Sequence, residues 1–133
     1  MRLRFGRCDA GQGMSVRCLI VDDSARFGEE ARSLLEQEGI SVVGFATSGD
    51  EALRLAKELR PDLALVDISL GSESGFDVAR RLADHGDIAA PRVIFVSTYD
   101  EREFSGPIEA SSALGFIAKT ELSADRIRRL LER

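Results

Sequence analysis

The sequence has little of what a soft-metal site or a stapled fold requires. It holds two cysteines, Cys8 and Cys18, and one histidine, His85. The cysteines lack the spacing of a zinc or redox motif, and His85 lies far from both, so neither a zinc centre nor a disulfide framework fits. We read both as reduced thiols in a cytoplasmic protein. Twelve glycines and three prolines in 133 residues exclude a collagen-like or low-complexity chain. No apolar run approaches the roughly eighteen residues that cross a bilayer, and residues 1–7 lack the unbroken apolar stretch of a secretory signal. No membrane partner is expected.

What is present is a globular composition, 44% hydrophobic and 31% charged, at the length of one domain. The net charge of −5 argues against direct nucleic-acid contact. That charge is uneven. Residues 1–14 hold three Arg and one Asp, which leaves −7 for residues 15–133. Gly6, Gly11 and Gly13 also break any helical or strand period there. We expect residues 1–14 to be a disordered extension, with Met14 open as the natural start, and residues 15–133 to form the domain.

From residue 15 the pattern alternates. Val16–Val21 is apolar and β-branched, and Asp22-Asp23-Ser24 follows, with Ser24 as expected N-cap. Phe27, Ala31, Leu34 and Leu35 form one helical stripe that stops near Gly39. Ser41–Ala46 reads as a strand, and Ser48 caps a helix with Ala52, Leu55, Ala56 and Leu59 inward, stopped by Arg60-Pro61. Leu63–Val66 is a third strand, followed by Asp67, a polar loop Ser69–Ser74 and a helix with Phe76, Ala79, Leu82 and Ala83 inward. Val93–Val96 and Gly115–Ala118 are further strands. A helix is expected to begin at Pro107, after a long loop from Thr98, and a last one runs from about Ser123 to Leu131. Unbroken apolar strands alternating with helices predict an α/β fold, a doubly wound five-stranded parallel sheet with helices on both faces.

Such sheets bind ligands at the carboxyl ends of their strands. Here those ends carry Asp22-Asp23, Asp67, Ser97-Thr98 and Lys119. Clustered carboxylates repel, so one resists ionising unless a cation joins them. A hard divalent cation, Mg²⁺, suits an all-oxygen set, and a carboxylate beside it can attack phosphorus. Catalysis would then be positioning and charge neutralisation, with Lys119 and the Ser97 hydroxyl on the remaining sides.

Asp22-Asp23, Asp67 through Gly75, Ser97-Thr98 and Phe116-Ile117-Ala118-Lys119 resemble the receiver domain of bacterial two-component response regulators. The resemblance covers nearly all of residues 15–133. It includes a glycine eight residues after Asp67 and an aromatic three before Lys119. It implies the flavodoxin-like strand order 2-1-3-4-5. It also implies that Asp67 is the phosphoacceptor, served by a histidine kinase or phosphotransfer protein. Asp23 would bind Mg²⁺ directly, Asp22 through water, and Ser69 through its backbone carbonyl. Ser97 would bond a phosphoryl oxygen, Lys119 would pair with the phosphate, and Phe116 would be the aromatic that turns inward on activation. A downstream protein partner would meet the surface of the fourth helix, fifth strand and fifth helix, where Arg126, Arg128, Arg129 and Arg133 lie. Homodimerisation on phosphorylation stays open.

The sequence departs from the family pattern at three places. Gly71 stands where proline is usual, which loosens the loop. Thr120 follows Lys119 where proline is usual, so no slow isomerisation is expected there. Thr98 replaces a very small residue and would crowd the hydrolytic water. We expect a stand-alone receiver that catalyses only its own phosphorylation and slow dephosphorylation, with a receiver fragment of a longer transcriptional regulator as the alternative. A haloacid-dehalogenase-like phosphatase would need a second acid where Ser69 stands. A flavodoxin-like module would need a phosphate loop where Asp22-Asp23 stands, and the intact acid set speaks against a phosphorylation-independent receiver.

Overall fold

The strands carry β-branched and aliphatic runs, and each is broken by a polar residue that starts a helix. The computed structural model describes residues 16–84, 90–98 and 105–132. In chain order it has β1 (Arg17–Val21), α1 (Ala25–Gln37), β2 (Ser41–Ala46), α2 (Gly49–Leu59) and β3 (Leu63–Asp67), then α3 (Gly75–Asp84), β4 (Arg92–Ser97), α4 (Ser105–Ala110), β5 (Gly115–Ala118) and α5 (Ala124–Leu131). The strands form one parallel sheet in the order β2-β1-β3-β4-β5. This is the order that the family resemblance implies.

The helix starts follow from local chemistry. Ser24, Ser48 and Ser123 each adopt extended backbone and accept a hydrogen bond from the amide three residues on, which satisfies a donor the helix cannot. Arg60 ends α2 in the left-handed region at φ 49°, because the following Pro61 disfavours another helical residue.

Alternate strand residues face opposite sides of the sheet, and the core divides accordingly. Leu19, Val21, Ala64, Val66 and Phe95 pack under α2, α3 and α4 through Ala52, Ala56, Val78, Leu82 and Ile108. Cys18, Ile20, Leu63, Leu65, Ile94 and Val96 pack under α1 and α5 through Ala31, Leu35, Ala124 and Ile127. A buried side chain of this size contributes roughly 1.5–3 kcal/mol of transfer free energy. Cys18 is a free thiol inside this second layer, and burial pushes its pKa up to about 12, so it behaves as a small apolar residue. Cys8, His85 and the 1–14 extension lie outside the described residues.

Three local expectations change. In α3, Phe76, Ala79 and Leu82 turn inward as expected, but Val78 is buried with them and Ala83 is exposed. The helix after β4 begins at Ser105, not Pro107; proline is still accommodated in the first turn, where no internal bond is lost. The polar loop after Asp67 is an antiparallel hairpin, Ser69–Leu70 against Glu73–Ser74, with Gly71 in its turn at φ +60°.

Candidate functional site

The carboxyl ends of β1, β3, β4 and β5 meet at one rim because the sheet is parallel and Asp22, Asp67, Ser97 and Lys119 end or follow these strands. Asp22 is fully buried. Its Oδ1 accepts from the Ser24 amide at 2.8 Å, and its Oδ2 lies 2.7 Å from Lys119 Nζ. That second contact is a charge pairing without hydrogen-bond alignment, so Oδ2 is a buried oxygen with no aligned donor. Asp67 is 6% exposed. It accepts from the Ser69 amide at 3.0 Å through Oδ1 and from Lys119 Nζ at 3.0 Å through Oδ2. Asp23 is exposed at the same mouth. One oxygen of each aspartate can be chosen so that all three lie within 4.8 Å of one another.

Three carboxylates and one ammonium leave this cluster with a formal charge of −2. Its titration reflects the imbalance. Burial raises the Asp67 pKa, and the nearby Asp22 charge adds to it, against lowering bonds from Ser69 and Lys119. Burial alone would lower the Lys119 pKa, but its close contacts with the Asp22 and Asp67 carboxylates outweigh that and raise it. The ammonium is therefore firmly charged, yet one cation is too few for the site. All the candidate ligands are hard oxygens, and the buried Asp22 Oδ2 has no aligned hydrogen-bond donor, only the Lys119 ammonium at 2.7 Å. This set fits a divalent cation such as Mg²⁺.

The other expected residues fall into place unevenly. Ser97 is buried at the end of β4, one residue past the Val96 that pairs with Asp67. Thr98 follows it and is exposed. Ser69 opens the hairpin beside Asp67. Phe116 does not join the rim. It lies within β5, opposite Phe95, and packs against the core under α2, α3 and α4. The arginines of α5 are already engaged: Arg128 donates to the Glu38 carbonyl at 2.7 Å, Arg129 pairs with Asp125 at 3.0 Å, and Arg126 faces Glu121 at 3.7 Å.

Two features escaped the sequence reading of the site. Phe27, read only as part of the α1 stripe, presents its ring face to Lys119 Nζ at 4.3 Å from the centroid, a cation–π contact that holds the ammonium from its third side. The sequence holds no separate signal for this contact, since the place of Phe27 on the α1 stripe reads equally as core. Gly75, noted only for its spacing, starts α3 with its amide bonded to the Ile68 carbonyl at 2.7 Å. A Cβ there would collide with the Asp67 carbonyl oxygen.

Comparison with known proteins agrees with this geometry. A family described as the response regulator receiver domain matches residues 18–132. The response regulator GacA of Pseudomonas viridiflava is 36% identical over 107 residues, covering 78% of this chain and 48% of that protein. A protein-glutamate methylesterase/protein-glutamine glutaminase of Myxococcus xanthus is 36% identical over 118 residues, covering 86% of this chain and 33% of its own length. The chain thus spans a third to a half of these curated relatives. Among solved structures, the signal receiver domain of a modulated diguanylate cyclase from Desulfovibrio desulfuricans G20 superposes with a TM-score of 0.73 at 34% identity, over 90% of this chain and 92% of that one. The response regulator domain of Thermotoga maritima CheB gives a TM-score of 0.70 at 28% identity, over 90% of each chain. With the acid cluster, the parallel sheet and this match in hand, the chain belongs to the response regulator receiver domain family.

Proposed function

We propose that this domain accepts a phosphoryl group from a histidine kinase or phosphotransfer protein on Asp67, in a reaction that requires Mg²⁺, and that the modification changes which protein partner it binds. The observation that carries the reading is the cation-deficient cluster of Asp22, Asp23, Asp67 and Lys119 at the strand ends, with Asp22 and Asp67 buried and Asp23 exposed.

The carboxylates of Asp22, Asp23 and Asp67 and the backbone carbonyl of Ser69 would hold the metal. When bound, Mg²⁺ neutralises charge on the transferring phosphoryl oxygens. The protein supplies the rest. An Asp67 oxygen attacks phosphorus as the bond from phosphorus to the donor breaks, and the donor leaves with its electron pair. Lys119, already 3.0 Å from Asp67, balances the new negative charge on the phosphorylated aspartate. Ser97, buried at the neighbouring strand end, donates its hydroxyl to a phosphoryl oxygen, and Phe116 repacks with it. Two packings of the same core then differ in population, biased by the phosphoryl group. The face of α4, β5 and α5 is the surface whose shape changes with them, and the domain itself makes no nucleic-acid contact.

Incubation with acetyl phosphate and Mg²⁺, followed by intact-mass measurement, tests this directly. A receiver gains one acid-labile phosphoryl group only when Mg²⁺ is present. Steady turnover of phosphate esters would point to a phosphatase instead, and no mass change in either condition would make the domain a phosphorylation-independent module.

A further inference from the structure

The hairpin that carries Ser69 past Asp67 is fastened to the neighbouring helices by a side chain the proposed reaction does not use. Glu73, on the returning strand of the hairpin, places Oε1 2.9 Å from the amide nitrogen of Gly49. Gly49 is the first residue of α2, so Glu73 satisfies from a distant segment one of the N–H groups that a helix start leaves unpaired. The helix dipole favours negative charge there. The other oxygen, Oε2, lies 3.7 Å from Arg81 Nη1 on α3, and Arg81 Nη2 holds Asp50 Oδ1 at 2.7 Å. A Cβ at position 49 would sit 2.7 Å from both Arg81 Nη1 and Glu73 Oε2. The bare backbone of Gly49 lets both side chains sit this close.

The hairpin needs such an anchor. Its strands are two residues each, far below the length at which a ribbon is stable alone. Its turn residue Gly71 gives no stiffness of its own, yet a Cβ there would lie 3.5 Å from Asp23 Oδ2, so the turn runs beside the exposed member of the acid cluster. Ser69 in turn pairs with Ser74, the neighbour of Glu73.

We propose that Glu73 is a positioning residue for the cation subsite: by tying the Ser69–Ser74 hairpin to α2 and α3, it fixes the Ser69 backbone beside Asp67. The proposal rests on the Mg²⁺ reading of the preceding section, and Glu73 touches no reacting atom itself.

Calorimetric Mg²⁺ titration of the full chain, with no phosphoryl donor present, tests it alongside amide hydrogen exchange of the metal-free protein. Glu73→Ala is expected to weaken Mg²⁺ binding about tenfold, the lower end of what outer-shell partners contribute, and to speed exchange at the Gly75 amide and within the hairpin. Glu73→Gln keeps an oxygen for the Gly49 amide and should retain most of the affinity. Glu73→Asp, one methylene shorter, is the gentler truncation and carries the same expectation as alanine. An alanine or aspartate variant that binds Mg²⁺ as tightly as the parent overturns the proposal, whatever its thermal stability. So does a glutamine variant that loses as much as alanine. A parent that binds Mg²⁺ but takes up no phosphoryl group sinks the phosphoacceptor reading alone, because the calorimetric comparison still decides this one. A parent that binds no Mg²⁺ overturns both.

Discussion

At the scale of single residues, Asp67 is held where its ionised form is uncomfortable. Its pKa is raised by burial first and by the Asp22 charge after that. A carboxyl with a raised folded-state pKa favours folding while protonated, and that contribution is lost as pH rises through the folded value. Ionised Asp67 therefore costs stability at neutral pH. Asp67→Asn is expected to raise the melting temperature at pH 7 and to shrink the difference at pH 4, as scanning calorimetry at the two values would show. Thr98 is exposed beside Ser97, and in the proposed reaction it would crowd the hydrolytic water. Thr98→Ala should shorten the phosphorylated lifetime, measured as loss of the mass adduct with time, and an unchanged lifetime would remove Thr98 from the hydrolytic path. These acids, the serine and the lysine were legible from sequence because each ends or follows an apolar run. The role of Phe27 was not, since a core aromatic and a ring beneath an ammonium give the same helical stripe.

At the scale of elements, caps and strand ends were read well because their causes are local. Ser24, Ser48 and Ser123 act as caps where a hydroxyl precedes an apolar period. The hairpin after Asp67 was read as loop, since its two-residue strands are too short to show alternation. The α3 stripe holds at Phe76, Ala79 and Leu82 but takes Val78 in place of Ala83, and the helix starts at Gly75, whose position is set by a backbone atom eight residues earlier. Gly75→Ala forces a methyl group into the Asp67 carbonyl, and overpacking against backbone costs about 1–3 kcal/mol. We expect denaturant melts to show that loss together with slower phosphoryl uptake, since the displaced atom belongs to the proposed acceptor residue. The paired arginines of α5 follow the same logic. Arg128 secures the end of α1 through Glu38, so charge reversal there would cut a structural bond, and Arg129 is the cleaner probe of partner contact on that face.

At the scale of the whole molecule, two apolar layers on either side of one sheet hold four strand ends in register. The parallel sheet was legible because such an arrangement leaves unbroken apolar runs alternating with helices, whereas its strand order came only from the family resemblance. No helix among the described residues is long and apolar enough to cross a membrane. The rigid frame brings together a cluster whose −2 charge a divalent ion cancels, so binding should stabilise the native state alone. Saturating Mg²⁺, at about 100 times its dissociation constant, is expected to add about 2.7 kcal/mol of unfolding free energy. Asp23→Asn, which removes an exposed ligand without disturbing the buried pair, should remove most of that gain. Equal stabilisation of parent and variant would place the ion elsewhere.

The most direct test compares the parent with Asp67→Asn after incubation with Mg²⁺ and acetyl phosphate, by intact mass before and after acid treatment. One acid-labile phosphoryl group on the parent and none on the variant is the expected result. Equal labelling of the two proteins would contradict the assignment of Asp67 and, with it, the chemistry proposed for this site.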